Sequence, residues 1–199
     1  EIKMNVEQFV MAHQVEHDRI RAILPEGYES LRPVFRINAE IRKGEKEIVY
    51  VEFNTPVEKD GKRGWLNIAN WSSADTDLSY ERNGKSITFV SPFLEITYKG
   101  IGIEGGCPAE KDNEGCFFIG NETKFVPTEK IDANKEFCDC EFVWKFAKEN
   151  TYGKSIGKSV AVPPTEVKHI YEKQDFSAEI AANITCELVA GCYLVKFIR

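Results

Sequence analysis

The chain has 199 residues, of which 42% are hydrophobic and 29% charged, and a formal net charge of -6. That size suits one domain, residues 1–199, able to bury a core and hold a pocket. The acidic balance argues against a surface made for nucleic acid or anionic lipid, and the lack of a long apolar run leaves no candidate transmembrane helix.

The chain opens Glu1-Ile2-Lys3-Met4, without the basic head and apolar run of a secretory leader. Six cysteines (Cys107, Cys116, Cys138, Cys140, Cys186 and Cys192) and Asn-x-Ser/Thr acceptors at Asn70, Asn121 and Asn183 would suit a secreted protein. A chain of this length builds its core without disulfide staples, however, so the expected location is cytoplasmic.

Val6 to Val15 is dense in Val, Phe and Met and reads as a strand. Asp18 to Leu24 places Ile20, Ile23 and Leu24 at helical spacing among charges, and Pro25-Glu26-Gly27 stops the helix. The best-specified stretch, Pro33 to Trp71, reads as a three-stranded antiparallel meander. From Phe35 to Arg42 apolar Phe35, Ile37, Ala39 and Ile41 alternate with polar Arg36, Asn38, Glu40 and Arg42, which puts each kind on its own face. Lys43-Gly44-Glu45-Lys46 and Lys59-Asp60-Gly61-Lys62 are the turns, with Ile48 to Phe53 and Trp65 to Trp71 as the returning strands.

Leu78 to Arg82 and Ser86 to Val90 flank Asn83-Gly84, a pair that suits a type I′ hairpin turn. Phe93 to Ile103 reads as a strand bent or bulged at Gly100 and Gly102. The charged residues between Cys107 and Cys116 read as a surface loop. Phe137 to Phe146 alternates again, with Cys138, Cys140, Phe142, Trp144 and Phe146 on one side. Val160 to Val162 is a short strand, Thr165 to Lys173 starts a helix behind two prolines, Ser177 to Leu188 fits either element, and Cys192 to Ile198 closes the chain as a strand. Many strands with tight turns, few helices and no βαβ alternation point to an α+β, mainly antiparallel protein built on a strongly bent sheet or barrel with peripheral helices.

Two segments carry a family resemblance. One runs from Asn5 to Trp71: a strand, a helix ending in Leu24-Pro25, the alternating strand, then Thr55-Pro56-Val57-Glu58-Lys59-Asp60-Gly61-Lys62-Arg63-Gly64 leading into an aromatic strand. The other is Glu187-Leu188-Val189-Ala190-Gly191-Cys192-Tyr193. Both resemble the acetoacetate decarboxylase-like superfamily, which implies a cone-like β-barrel around a central pocket and a homo-oligomer. The decarboxylase chemistry would further require a buried lysine beside a second lysine, its pKa lowered so that the neutral amine forms a Schiff base with a keto acid. The corresponding interval, Asn70 to Lys85, has no lysine doublet, and Lys85 stands alone after a turn. The family's guarding arginine would fall near Val6, and its acidic residue near Asn38, with Glu40 or Glu52 as replacement acids.

His13-Gln14-Val15-Glu16-His17 has the spelling of an inverted zinc-peptidase motif, but the two histidines read as belonging to a strand and a helix rather than to one helix face. Cys138 and Cys140 share one face of a strand and read as core packing. No nucleophile elbow, phosphate loop or dinucleotide fingerprint occurs. In an open sheet the face bearing Arg36, Asn38, Glu40 and Arg42 is solvated; in a closed one it lines the interior, where Arg36 offers a planar fork for a carboxylate and Asn38, Glu40 and Glu52 supply orienting groups.

The expected function is a pocket that binds or transforms a small carboxylate or carbonyl compound through Arg36, Asn38, Glu40 and Glu52, without cofactor, metal or lysine Schiff base. Catalysis is left open, and would be lyase-like if present. The alternatives are a non-catalytic binding or scaffold protein of the same fold and, behind it, a zinc hydrolase using His13, Glu16 and His17.

Overall fold

The computed structural model describes residues 3–109, 116–119, 122–125, 133–146 and 177–199. The strand expected at 160–162, the helix expected at 165–173 and most of the loop between the first two cysteines lie outside the described residues. No helix among those described is long and apolar enough to cross a membrane.

The first strand, β1 (Asn5–Gln14), precedes helix α1 (His17–Ile23), which buries Ile20 and Ile23 one turn apart on a single face. Burial of each contributes about 1.5–3 kcal/mol. The helix stops before Pro25, whose ring disfavours helical backbone at Leu24, and Leu24 is indeed extended with ψ 138°. A two-residue β2 (Glu29–Ser30) follows, and then the expected meander: β3 (Val34–Lys43), β4 (Glu47–Lys59) and β5 (Lys62–Ser72). The β4–β5 turn consists of Asp60 and Gly61, both at positive φ (52° and 73°) as a type I′ turn requires.

The next hairpin joins β6 (Ser79–Asn83) to β7 (Ser86–Val90), but its turn is one residue later than expected. Asn83 pairs with Ser86 inside the ladder, so Gly84 and Lys85 are the central residues, and only Gly84 (φ 59°) is left-handed. A glycine first and an ordinary residue second is the type II′ arrangement. Strand β8 (Leu94–Lys99) ends where a bend within a longer strand was expected, because Gly100, Gly102 and Gly105 all take positive φ and turn the chain away.

Strands β9 (Gly106–Pro108), β10 (Cys116–Ile119), β11 (Glu122–Phe125), β12 (Asn134–Phe137) and β13 (Asp139–Trp144) follow. The segment ambiguous in sequence resolves into helix α2 (Ala178–Ala182), capped by Ser177 Oγ accepting from the Ile180 amide at 3.4 Å, and β14 (Leu188–Ile198).

The strands form two sheets. The ten-stranded sheet runs β11-β10-β5-β4-β3-β1-β14-β12-β9, with β2 beside β4, and the four-stranded sheet runs β13-β8-β7-β6. Pairing is antiparallel throughout except between β10 and β5. The fold class is therefore α+β and mainly antiparallel as expected. Pairing among the described residues ends at β11 on one side and β9 on the other and does not run round into a ring.

The core lies between the sheets. Phe35, Ile37, Ala39 and Ile41 of β3 are fully buried, as their alternation demands, beside Phe9 and Met11 of β1 and Phe53 of β4. From the small sheet, Phe89 and Tyr98 each approach Phe9 with ring centroids at 5.3 Å, and Trp144 meets Phe53 edge-on at 5.1 Å. Tyr98 spends its hydroxyl on the Phe9 carbonyl at 3.3 Å. All these contacts use one face of the large sheet, which leaves the other face to be accounted for.

Candidate functional site

The opposite face of β3, β4 and β5 carries polar side chains in register. Asn38 stands opposite Glu52, Arg36 opposite Asn54, and Glu40 opposite Tyr50. On β5, Asn67 pairs with Asn54 and Asn70 with Glu52, because a register shift beside Phe53 absorbs one residue of β5 and brings Asn70 round to the same side. The solvated alternative for this face does not hold: Asn38 is 4% exposed, Glu40 3%, Asn54 1% and Asn67 9%. Polar groups buried so completely need partners.

Around Glu52 those partners are neutral, apart from one guanidinium at the end of the chain. Glu52 Oε1 accepts from Asn38 Nδ2 at 3.0 Å, and Oε2 accepts from the Tyr50 hydroxyl at 3.0 Å and from Asn67 Nδ2 at 3.5 Å. Asn67 Nδ2 also donates to Asn54 Oδ1 at 3.1 Å, and Asn70 Nδ2 donates to Asn67 Oδ1 at 2.9 Å. Asn38 Oδ1 accepts from Arg36 Nε at 2.9 Å. Burial, with the negative charge and hydrogen bond of Glu52, pushes the Tyr50 phenol above its ordinary range, so it stays a proton donor.

Arg36 lies over the Trp65 indole at 4.9 Å from the ring centroid, and Arg32 approaches the same ring at 5.6 Å. Among the described residues neither arginine has a carboxylate within ion-pair distance, whereas Arg19, Arg21, Arg42, Arg63, Arg82 and Arg199 each do. Among the described residues only the Nε of Arg36 donates a hydrogen bond, which leaves the two terminal nitrogens of its fork for something else.

Glu40 belongs to a different cluster. It accepts from Arg42 Nε at 2.8 Å and Arg199 Nη1 at 3.1 Å through Oε2, and from Gln8 Nε2 at 3.0 Å through Oε1. Burial alone would raise its pKa, but the two guanidiniums outweigh that and hold the carboxyl below its usual range. Of the four residues singled out in the sequence, then, Arg36, Asn38 and Glu52 form one hydrogen-bonded chain, and Glu40 is saturated in an ion-pair cluster beside it.

Tyr50, Asn54, Trp65, Asn67 and Asn70 are not selected by sequence reasoning. The alternation of Tyr50, Glu52 and Asn54 along β4, and of Trp65 and Asn67 along β5, is the signal that could have found four of them.

The zinc-hydrolase alternative does not hold. His13 is buried on the core side, stacked on Phe142 at 5.2 Å and near Phe35 and Phe53. Burial lowers its pKa to about 3, so the ring is neutral. His17 lies at the start of α1 with Nε2 2.9 Å from Ser30 Oγ, and Glu16 accepts from Arg19. No group of three His, Cys, Asp or Glu suited to a metal occurs among the described residues. Lys85 is exposed at its turn, and among the described residues no lysine takes part in the hydrogen-bonded chain around Glu52.

No family model matches the sequence, and no curated protein matches it. Solved structures do. Acetoacetate decarboxylase from Legionella pneumophila superposes with a TM-score of 0.60 at 11% identity, covering 100% of this chain and 84% of that one. A second acetoacetate decarboxylase structure gives 0.52 at 8% identity, over 100% and 86%. The enduracididine biosynthesis enzyme MppR, complexed with the condensation product of pyruvate and imidazole 4-carboxaldehyde, gives 0.53 at 9% identity, over 98% and 85%. The chain therefore has the acetoacetate decarboxylase-like fold. At these identities the likeness is one of fold and not of chemistry.

Proposed function

We propose that the buried polar face around Arg36 is a binding site for a small carboxylate or carbonyl compound, worked without a lysine Schiff base. In this reading the large sheet curls about that face as a cone-like barrel, which accords with the near-complete burial of Asn38, Asn54 and Asn67. The observation that carries it is the pair Arg36 and Arg32 on the Trp65 ring, without a counter-ion among the described residues where every other arginine has one. A carboxylate ligand takes the fork of Arg36, with its hydrocarbon part against the indole. Asn67, tethered to Glu52, and Asn70, tethered to Asn67, supply the amide groups that a second polar atom of the ligand meets.

MppR holds a pyruvate-derived compound on the same fold, which accords with a keto-acid ligand. Glu52 already accepts from Asn38, Tyr50 and Asn67, so it serves chiefly to hold donors in place, and the reading is of a binder first. The test is titration with acetate, pyruvate and acetoacetate, with acetone as the neutral control, followed by tryptophan fluorescence. The acids are expected to bind and acetone not, and Arg36→Ala to weaken binding at least tenfold. Binding that is equal in the two proteins, or absent for every acid, would defeat the proposal.

A further inference from the structure

The most unusual chemistry away from the polar face is a set of buried thiols on the core side. Cys138 sits at the break between β12 and β13, where the chain leaves the large sheet for the small one. Its amide donates to the Cys192 carbonyl at 3.2 Å, extending the β12–β14 pairing by one residue beyond Phe137 and Tyr193. The two side chains point the same way, and their sulfur atoms are 3.2 Å apart.

Residues directly opposite on antiparallel strands have Cα atoms roughly 4.5–5.5 Å apart, inside the range of about 4.4–6.8 Å that a disulfide spans. An approach of about an ångström would bring the sulfurs to the bonded distance of ~2.05 Å. Both residues line a cavity of about 270 Å³ with Asp139 and residues 188–191, next to the bulge that sets Ala12 opposite Gly191 and His13 opposite Val189. Cys140, the nearby third thiol, is wholly buried, is paired with Tyr98 in the small sheet, and does not line the cavity.

We propose that Cys138 and Cys192 form a thiol–disulfide exchange site, closed to a disulfide by a small disulfide oxidant of the oxidised-glutathione class and reopened by dithiols. In the forward direction one cysteine sulfur attacks the oxidant, forming a mixed disulfide and releasing one glutathione thiolate. The second cysteine then attacks the protein sulfur of that bond and releases the other. The protein loses two electrons and two protons, and the oxidant gains them as two thiols. Hydrogen bonding with Cys138 and Cys140, together with burial, pushes the Cys192 thiol well above its ordinary range, so closure is slow at neutral pH and faster in mild alkali. The bond would staple the crossover between the sheets to the C-terminal strand across 54 residues of chain. It lies on the core side of β14, since Cys192 pairs with core-facing Met11, and is independent of the Arg36 site.

The test is incubation of the full chain with oxidised glutathione in mild alkali, followed by intact mass and peptide mapping without reductant. The expected result is a loss of two hydrogens, a peptide containing Cys138 joined to one containing Cys192, and a melting temperature raised by roughly 5–10 °C that dithiothreitol reverses. Because Cys138 and Cys140 fall in one tryptic peptide and Cys186 and Cys192 in another, Cys140→Ser and Cys186→Ser are mapped alongside and are each expected to form the same link. Cys192→Ser is expected to lose it, and if that variant does not fold, the Cys140→Ser and Cys186→Ser maps decide. Recovery of both thiols free after denaturing alkylation, or a link through Cys140 in place of Cys138, would overturn the assignment.

Discussion

The two ends of the polar face contain the same kinds of residue and are wired to opposite effect. At one end Glu40 faces Arg42 and Arg199, so a buried negative charge sits in direct contact with two positive ones and each of those arginines has an ion-pair partner. At the other, Glu52 is met by two amides and a phenol, while the guanidiniums of Arg36 and Arg32 rest on Trp65 with no carboxylate among the described residues. The Glu40 end has its charges in contact and holds Arg199 against the sheet. At the Glu52 end the guanidiniums have no such contact among the described residues, and in the proposed reading that is what a ligand answers. Polarity alone does not mark a site; unpaired charge among buried, ordered donors does.

The largest effect expected from breaking this contrast is at Glu40. Glu40→Ala takes from Arg42 and Arg199 the buried carboxylate they share; both are partly exposed, so the loss is set below that of a fully buried pair at about 2–3 kcal/mol, read by urea unfolding. Ligand binding should survive. Arg36→Ala should do the reverse, weakening carboxylate binding by roughly 10–100-fold with stability changed by under about 1 kcal/mol, as measured by titration and by the same unfolding curves.

Acid sharpens the comparison further. His13 has a folded pKa of about 3 against an ordinary 6.5, so between those values the unfolded chain takes up a proton that the native one refuses. Stability therefore falls as pH drops through that window, by at most about 1.4 kcal/mol per pH unit, and His13→Phe should flatten the upper part of the slope. Glu40, with its folded pKa lowered, adds stability that is full above the usual carboxylate range and is lost as pH falls through the lowered value. Its contribution should appear only at the acid end, and vanish in Glu40→Ala. The smallest effect is expected from Tyr50→Phe, which removes one donor to Glu52 and should cost about 1 kcal/mol of stability by thermal unfolding.

Much of the fold was legible because it rests on local pattern: the period-two alternation of β3, the Asp60-Gly61 turn and the second hairpin all follow from neighbouring residues. What was not legible depends on distance or on register. Glu40 and Glu52 look alike in sequence, and what separates them includes the approach of Gln8 and of Arg199, 32 and 159 residues from Glu40. Asn70 has the wrong parity to share a face with Asn67 until the bulge in β5 corrects it. The polar face could be read as a row of side chains from Arg36 to Arg42, but its burial depends on strands paired across the whole chain. The strand end at Gly100 was misplaced because a glycine signals a bend without saying whether the strand resumes. The absence of a lysine doublet, by contrast, was plain in the letters, since it needs no geometry.

Borohydride reduction in the presence of a keto acid that saturates the tryptophan signal tests the account most directly, because it separates capture by a guanidinium from capture by an amine. The account expects reversible binding that depends on Arg36 and a protein mass unchanged after reduction. A covalent adduct mapped to any lysine would contradict it.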